Sequence, residues 1–231
     1  MPVPSKSQVN KAGRALRHWA RGELISEDVH QHALATLLEH RAVHRVPLTK
    51  ATMGLRSVVK TEQYEVEVSQ RLKRVPTILD KLVREPTMQL ANMQDIGGCR
   101  AVLNSIDEVR RVQERLSGNR RPLRVSDYIA EPRPSGYRGV HVVVQYDGRS
   151  VEVQIRTQVM HEWAITVERL GGRLGEDLKS GYGPAPVLEL LEGVSEAMAV
   201  EEKGGVVGQE ALDRLGVLRQ AAVPFLGGGP R

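Results

Sequence analysis

The stretch Val140–Arg156, VHVVVQYDGRSVEVQIR, decides the fold. It holds two runs rich in β-branched residues on either side of Asp147-Gly148. An Asp-Gly pair between such runs is a strong hairpin signal, because both residues tolerate the positive φ of a tight turn. In the second run Val151, Val153 and Ile155 point one way, and Glu152, Gln154 and Arg156 the other. A strand that sets a carboxylate, an amide and a guanidinium on one face presents a polar binding surface.

Further strands and helices lie around this hairpin. Over Glu65–Arg74 apolar and polar residues alternate, which predicts a strand with Arg71 and Lys73 on one face. Pro76 suits the first turn of a helix to about Val83, and Pro86 lies just beyond it. Gly98–Leu103 reads as a strand, Ile106–Leu116 as a helix and Leu123–Ile129 as a third strand. A helix from Gln158 to Leu170 packs through Val159, Trp163, Val167 and Leu170.

Toward the N-terminus, Val9, Ala12, Leu16 and Trp19 predict a basic helix over Gln8–Ala20. A second helix follows Ser26, with Glu27 and Asp28 where the helix dipole favours acids. It runs to about His40, and Pro47 closes the segment. His30, His32, His40 and His44 are read as surface histidines, because no carboxylate is arranged with them. Toward the C-terminus, helices are expected over Val187–Val200 and Gln209–Ala221, separated by Gly204-Gly205, with Gly227–Arg231 as a disordered tail. The chain thus divides into an N-terminal helical segment (1–60), a core (61–175), and C-terminal helices with a flexible tail (176–231).

Composition narrows the chemistry. Among 231 residues, 40% are hydrophobic, enough for a core, but only 3% are aromatic, too few for an extended base-stacking surface. The net charge of +5 suits polyphosphates or RNA. The single cysteine, Cys99, excludes an internal disulfide and a Cys-rich zinc site. No signal peptide is visible and no apolar run is long enough to cross a bilayer, so a soluble cytoplasmic protein without membrane partners is expected. There is no Walker A motif and no nucleophile elbow.

Two acids stand out. Asp95 precedes Gly97-Gly98 at the mouth of a strand, and Glu152 lies mid-strand. Two carboxylates plus substrate phosphates are the usual way to hold magnesium. The competing reading makes Asp95 a turn residue and pairs Glu152 with Arg149 or Arg156, and the pattern alone leaves both open. Arg121, Arg124, Arg133 and Arg138 surround Asp127–Pro132, where polyphosphate transfer would need positive charge. In Pro134–His141, Gly136 frees the backbone just before Tyr137, an aromatic placed where it could stack on a base.

These segments resemble, in order, four blocks of the synthetase domain of the RelA/SpoT family, the alarmone synthetases. The first is Arg71-Leu72-Lys73 with Thr77-Ile78 and Lys81-Leu82. The second is Asp95-Ile96-Gly97-Gly98-Cys99-Arg100. The third runs from Asp127-Tyr128-Ile129 through Pro132-Arg133 to Gly136-Tyr137 and His141. The fourth is Val151–Thr157, with Met160-His161 and Ala164 after it. The resemblance implies an α/β (α+β) chain: a mixed β-sheet flanked by helices, of the nucleotidyltransferase-like synthetase type. It implies transfer of the β,γ-pyrophosphate of ATP to the 3′-hydroxyl of GDP or GTP, making (p)ppGpp, with Mg2+ as cofactor. Arg71 and Lys73 would contact ATP. Asp95 would bind magnesium, with Glu152 as second ligand or proton acceptor. Tyr137 would stack on the acceptor base, and His141, Arg100, Gln154 and Arg156 would line the pocket, with Arg124 and Arg133 supplying charge.

The chain departs from the family pattern at Ser126, Arg133, Ser135 and Gly139, all in the acceptor region. Two alternatives keep the fold and change the acceptor: a toxic small synthetase that pyrophosphorylates the tRNA 3′ end, or one that makes adenosine alarmones. A third is a nucleotide- or RNA-binding regulator with a decayed site. No hydrolase block precedes the synthetase region, and no long regulatory half follows, so a small member without hydrolase activity is expected. The C-terminal helices have three uses open to them: covering the sheet, joining copies in a homo-oligomer, or binding an antitoxin.

Overall fold

The computed structural model describes residues 3–227, so Gly228–Arg231 of the expected tail lie outside the described residues. The helices are α1 (Lys6–Ala20), α2 (Glu27–Ala42), α3 (Arg45–Thr61), α4 (Val75–Arg84), α5 (Ile106–Asn119), α6 (Gln158–Leu174), α7 (Ala185–Glu202) and α8 (Gln209–Leu226). The strands are β1 (Val68–Leu72), β2 (Gly97–Leu103), β3 (Arg124–Asp127), β4 (Val140–Tyr146) and β5 (Arg149–Thr157). Among the described residues they form one sheet in the order β1-β2-β5-β4-β3, the helix-flanked mixed sheet that the resemblance implies.

Local chemistry explains most element ends. Ser5 and Gln8 form a capping box at the start of α1, and Ser26 caps α2. Asp147 and Gly148 both adopt positive φ, 49° and 73°, so β4 and β5 are joined by the expected two-residue hairpin turn. β1 and β2 are antiparallel, with Arg71 opposite Gly98 and Ser69 opposite Arg100. Residues paired in this way share a face, so Arg71 and Arg100 project from the same side of the sheet.

Three expectations need correction. The β1 strand spans Val68–Leu72 only, and Lys73 lies just past its end. Pro47 does not close a segment but sits in the first turn of α3, a helix absent from the sequence reading. Proline costs nothing there because that N–H has no intrahelical acceptor. His40 and His44 are not surface residues, being 2% and 3% exposed. Only His32 of the four is openly exposed, while His30 stacks on Trp19 at 4.0 Å.

The burial of His40 has a measurable consequence. Burial first, then the charges of His44 and Arg149, push its pKa down from 6.5 to about 4. Above pH 6.5 both folded and unfolded chains carry a neutral imidazole. Between 6.5 and 4 the unfolded chain takes up a proton that the folded chain refuses, so folding weakens as pH falls. Thermal unfolding followed from pH 7.5 to 4 should show this loss, and His40→Gln should flatten that part of the profile.

The chain forms two compact units. One comprises residues 1–101, 116–124 and 142–154, and the other 102–115, 125–141 and 155–231. In the first, Val9, Ala12 and Leu16 of α1, Leu37 of α2 and Ile78 and Leu82 of α4 close over Leu90, Met93 and Ile96. Arg17 donates to the Leu82 and Met88 carbonyls, and Arg21 to Val83 O. Two arginines of the basic first helix therefore satisfy carbonyls at the end of α4 and in the chain just after it. In the second unit, Trp163 and Val167 of α6 and Val187 and Leu191 of α7 enclose Tyr137 and Leu178.

Candidate active site

Asp95 lies two residues before β2, in the first unit. Lys73 is pinned at both backbone groups: its N–H donates to Ile96 O at 2.8 Å, and its carbonyl accepts from Arg41 Nε at 2.8 Å. That fixes its ammonium 2.9 Å from Asp95 Oδ2. Buried Ile78 and Leu82 set the phase of α4 and bring Lys81 Nζ within 3.2 Å of both Asp95 oxygens. The carboxylate is thus held between two ammonium groups.

Burial alone would raise the Asp95 pKa. The charges of Lys73 and Lys81 and the Lys73 hydrogen bond outweigh it and hold the carboxyl below its ordinary value, against an opposing push from Glu152. Asp95 is therefore ionised at neutral pH, and Glu152 is near enough to act on it electrostatically. Gln154 Nε2 donates to Glu152 Oε2 at 2.6 Å, and Glu152 is 9% exposed. The Gly98 position is open enough that an added Cβ would approach the Glu152 carbonyl at 3.5 Å. The bare glycine keeps a low surface between β2 and β5 there.

Two hard oxygen donors fit a magnesium ion, which takes one or two carboxylates and fills its other positions with water and phosphate oxygens. Among the described residues no group of three or more His, Cys, Asp or Glu side chains could hold a metal by itself. Cys99 does not offer a thiolate: burial, with the charge of Glu152 adding, pushes its pKa up to about 12.

Of the expected site residues, the first unit brings Lys73 and Asp95 into contact, as it does Glu152 and Gln154. Arg71 stands exposed on β1, Arg100 donates to Ser69 Oγ at 3.3 Å, and Arg124 is exposed at the start of β3. Lys81 stood in the first block of the resemblance without an assigned role, and Arg41 was not expected in the site. Lys81 had a signal, since it falls off the apolar face of the helix that follows Lys73. Arg41 had none, because its role is a backbone contact across 32 residues.

The second unit gathers Arg133, Tyr137, His141 and Arg156. Tyr137 is fully buried. Its hydroxyl is 2.6 Å from His141 Nε2, and its ring meets Trp163 and Tyr128 at centroid distances of 6.3 and 5.7 Å. Arg133, Arg156 and Lys179 stand 5.5, 5.1 and 5.0 Å from the ring centroid. This is a phenol enclosed by cations, with Arg133 also donating to Tyr128 Oη at 3.0 Å.

The loop that carries Tyr137 is clamped by α7. Ser195 Oγ donates to Gly136 O at 2.5 Å, and Glu202 accepts from Arg138 at 2.7 Å. Gly136 has φ +81°, and a Cβ there would lie 2.8 Å from Glu192 Cα and Ser195 Cβ. Gly136→Ala should therefore cost about 3 kcal/mol through backbone strain and overpacking. Urea unfolding followed by circular dichroism would measure it, and a loss below about 1 kcal/mol would mean that α7 yields easily.

A family profile, the region found in RelA/SpoT proteins, matches residues 70–169. The GTP pyrophosphokinase YjbM of Bacillus subtilis is 36% identical over 142 residues, covering 56% of this chain and 65% of that protein. A GTP pyrophosphokinase of Escherichia coli is 31% identical over 133 residues, 56% of this chain and 18% of its own length. The chain thus spans a little under two thirds of the first relative and under a fifth of the second. The crystal structure of small alarmone synthetase 1 from Bacillus subtilis, bound to its product pppGpp, aligns with a TM-score of 0.58 at 30% identity. That alignment covers 70% of this chain and 90% of the other. With the matched region spanning Lys73, Asp95, Glu152 and Tyr137, and the fold shared over nearly the whole of that structure, the chain belongs to the RelA/SpoT family.

Proposed function

We propose that this chain transfers the β,γ-pyrophosphate of ATP to the 3′-hydroxyl of GDP or GTP. The observation that carries the proposal is the Asp95 carboxylate held between Lys73 and Lys81 within electrostatic reach of Glu152. In the reaction a bond forms between the 3′-oxygen and the β-phosphorus, the bond to the α-phosphate oxygen breaks, and AMP leaves. Such a transfer asks the protein for position and charge more than for covalent chemistry.

Arg71 and Arg100, on one sheet face, and Lys73 and Lys81 would neutralise the triphosphate. A magnesium ion held by Asp95 and Glu152 would draw charge from the phosphate oxygens. Where Glu152 is not the second ligand, it would instead accept the 3′-hydroxyl proton. In the second unit, the cations around Tyr137 suit an acceptor that carries phosphates, and base stacking by Tyr137 would require its ring to leave the present packing.

Arg17 and Arg21 are engaged with backbone carbonyls, whereas Lys6, Lys11 and Arg14 are exposed, so the assay and not the first helix separates a tRNA acceptor from a nucleotide. The test is to incubate the protein with magnesium, ATP labelled at the β-phosphate, and GDP, GTP, ATP or deacylated tRNA in turn. Label on guanosine nucleotides alone is expected. Label on tRNA or only on an adenosine nucleotide would overturn the acceptor, and nucleotide binding without transfer would overturn the reaction.

A further inference from the structure

We infer that a cavity formed by α2, the loop before β2 and the β4–β5 turn binds a small phosphoryl oxyanion, clamped by Arg149 and the His40 and His44 imidazoles. The cavity has a volume of about 240 Å³, and its polar lining includes His40, His44, Asn92, Gln94, Arg149 and Ser150. All of it belongs to the first unit. The inference stands apart from the proposed reaction and does not rest on it.

The imidazoles supply the first argument. His40 is 2% exposed, and neither of its ring nitrogens has a hydrogen-bond partner among the described residues. His44 Nδ1 donates to the His40 carbonyl at 2.8 Å, which leaves its Nε2 as the other polar atom of that ring. The two rings meet edge to face at 4.9 Å. Burying a polar ring without a partner costs about 1–3 kcal/mol, and such groups normally meet a water or a ligand. The cavity beside the ring exceeds what one bridging water fills, and because both His40 nitrogens are closed to solvent, a turn of the ring brings one of them to the ligand.

The lining decides the sign of the ligand. It contains a guanidinium and no carboxylate, so a metal ion bound by the two histidines would face Arg149 without compensation. An anion meets the guanidinium fork, amide and hydroxyl donors from Asn92, Gln94 and Ser150, and an imidazole N–H. His44 and Arg149, the groups that face His40, both disfavour its protonated form, and a bound dianion would reverse that push.

The cavity is distinct from the face that would hold ATP. An added Cβ at Gly97 would meet His44 and Leu48, whereas Gly98 pairs with Arg71. Neighbouring strand residues point to opposite faces, so His44 lies on the side of the sheet away from Arg71 and Arg100.

The experiment uses the whole chain with 15N-labelled histidine. Inorganic phosphate, pyrophosphate and GDP are titrated separately, with calorimetry in parallel. Saturable shifts of the His40 ring nitrogens are expected with at least one phosphoryl ligand. Shifts with free phosphate or pyrophosphate identify a free anion, and shifts with GDP alone identify a nucleotide's phosphates. Arg149→Gln, at the half-buried first residue of β5 beside the exposed turn, should weaken binding about tenfold or more with circular dichroism unchanged, whereas Arg219→Gln on α8 should not. No His40 shift at millimolar ligand, or equal binding by Arg149→Gln, overturns the inference.

Discussion

Asp95→Asn should lower the rate of pyrophosphate transfer by about three orders of magnitude while leaving ATP affinity unchanged or slightly tighter. The substitution keeps volume and shape but removes the charge that Lys73 and Lys81 share at 2.9 and 3.2 Å. Both ammonium groups are then released toward a triphosphate, so binding does not suffer. What would be lost is the hard anionic oxygen proposed to hold magnesium beside Glu152. Lys81→Met should show the opposite split, raising the KM for ATP more than it lowers kcat, because it removes phosphate binding and leaves Asp95 with Lys73. Steady-state kinetics for the two variants, with calorimetric nucleotide affinities, would separate these roles. An Asp95→Asn variant within about threefold of the parent rate would remove Asp95 from the metal site.

The hairpin around Asp147-Gly148 was legible because its information is local: two residues that accept positive φ between runs of β-branched residues. The phases of α1 and α6 were legible for the same reason, since a helical apolar stripe is written in one segment. The missing helix was α3. Pro47 reads as a stop when taken alone, yet it falls where a helix has no hydrogen bond to lose. Burial was the least legible property. Tyr137, His40 and His44 are buried by residues from distant segments, such as Trp163 against Tyr137 and the loop before β2 beside His40. Spacing along the chain carries no record of such meetings. The same holds for the acid site: Asp95 and Glu152 could be picked out by context, but the second ammonium, Lys81, depends on how α4 packs through Ile78 and Leu82.

Glu202→Ala should destabilise the chain by about 3–5 kcal/mol, the range for stripping one partner from a buried ion pair, and should lower the unfolding midpoint by about 10 °C. Glu202 and Arg138 side chains are both 6% exposed, and their oxygen and nitrogen are 2.7 Å apart. A carboxylate in the last turn of a helix works against the helix dipole, so the position is tolerable only because of what Glu202 binds. It binds two groups. Besides Arg138 it accepts the Thr157 hydroxyl, and Thr157 in turn caps α6 by accepting from Met160 N at 3.3 Å. Removing the carboxylate therefore leaves a buried guanidinium uncompensated and lets the α6 cap rotate away from its fixed geometry. Arg138→Met in the same background should recover a large part of the loss, because the buried charge is then gone. Thr157→Val in the parent chain should cost about 1 kcal/mol, the ordinary value of a cap. If Glu202→Ala cost no more than that single cap, Arg138 would have to reach water when its partner is gone. The clamp on the Tyr137 loop would then be loose, and acceptor binding would gain nothing from releasing it. If the full loss is seen, the loop is held shut by a buried charge pair, and a change in acceptor KM should accompany the change in stability.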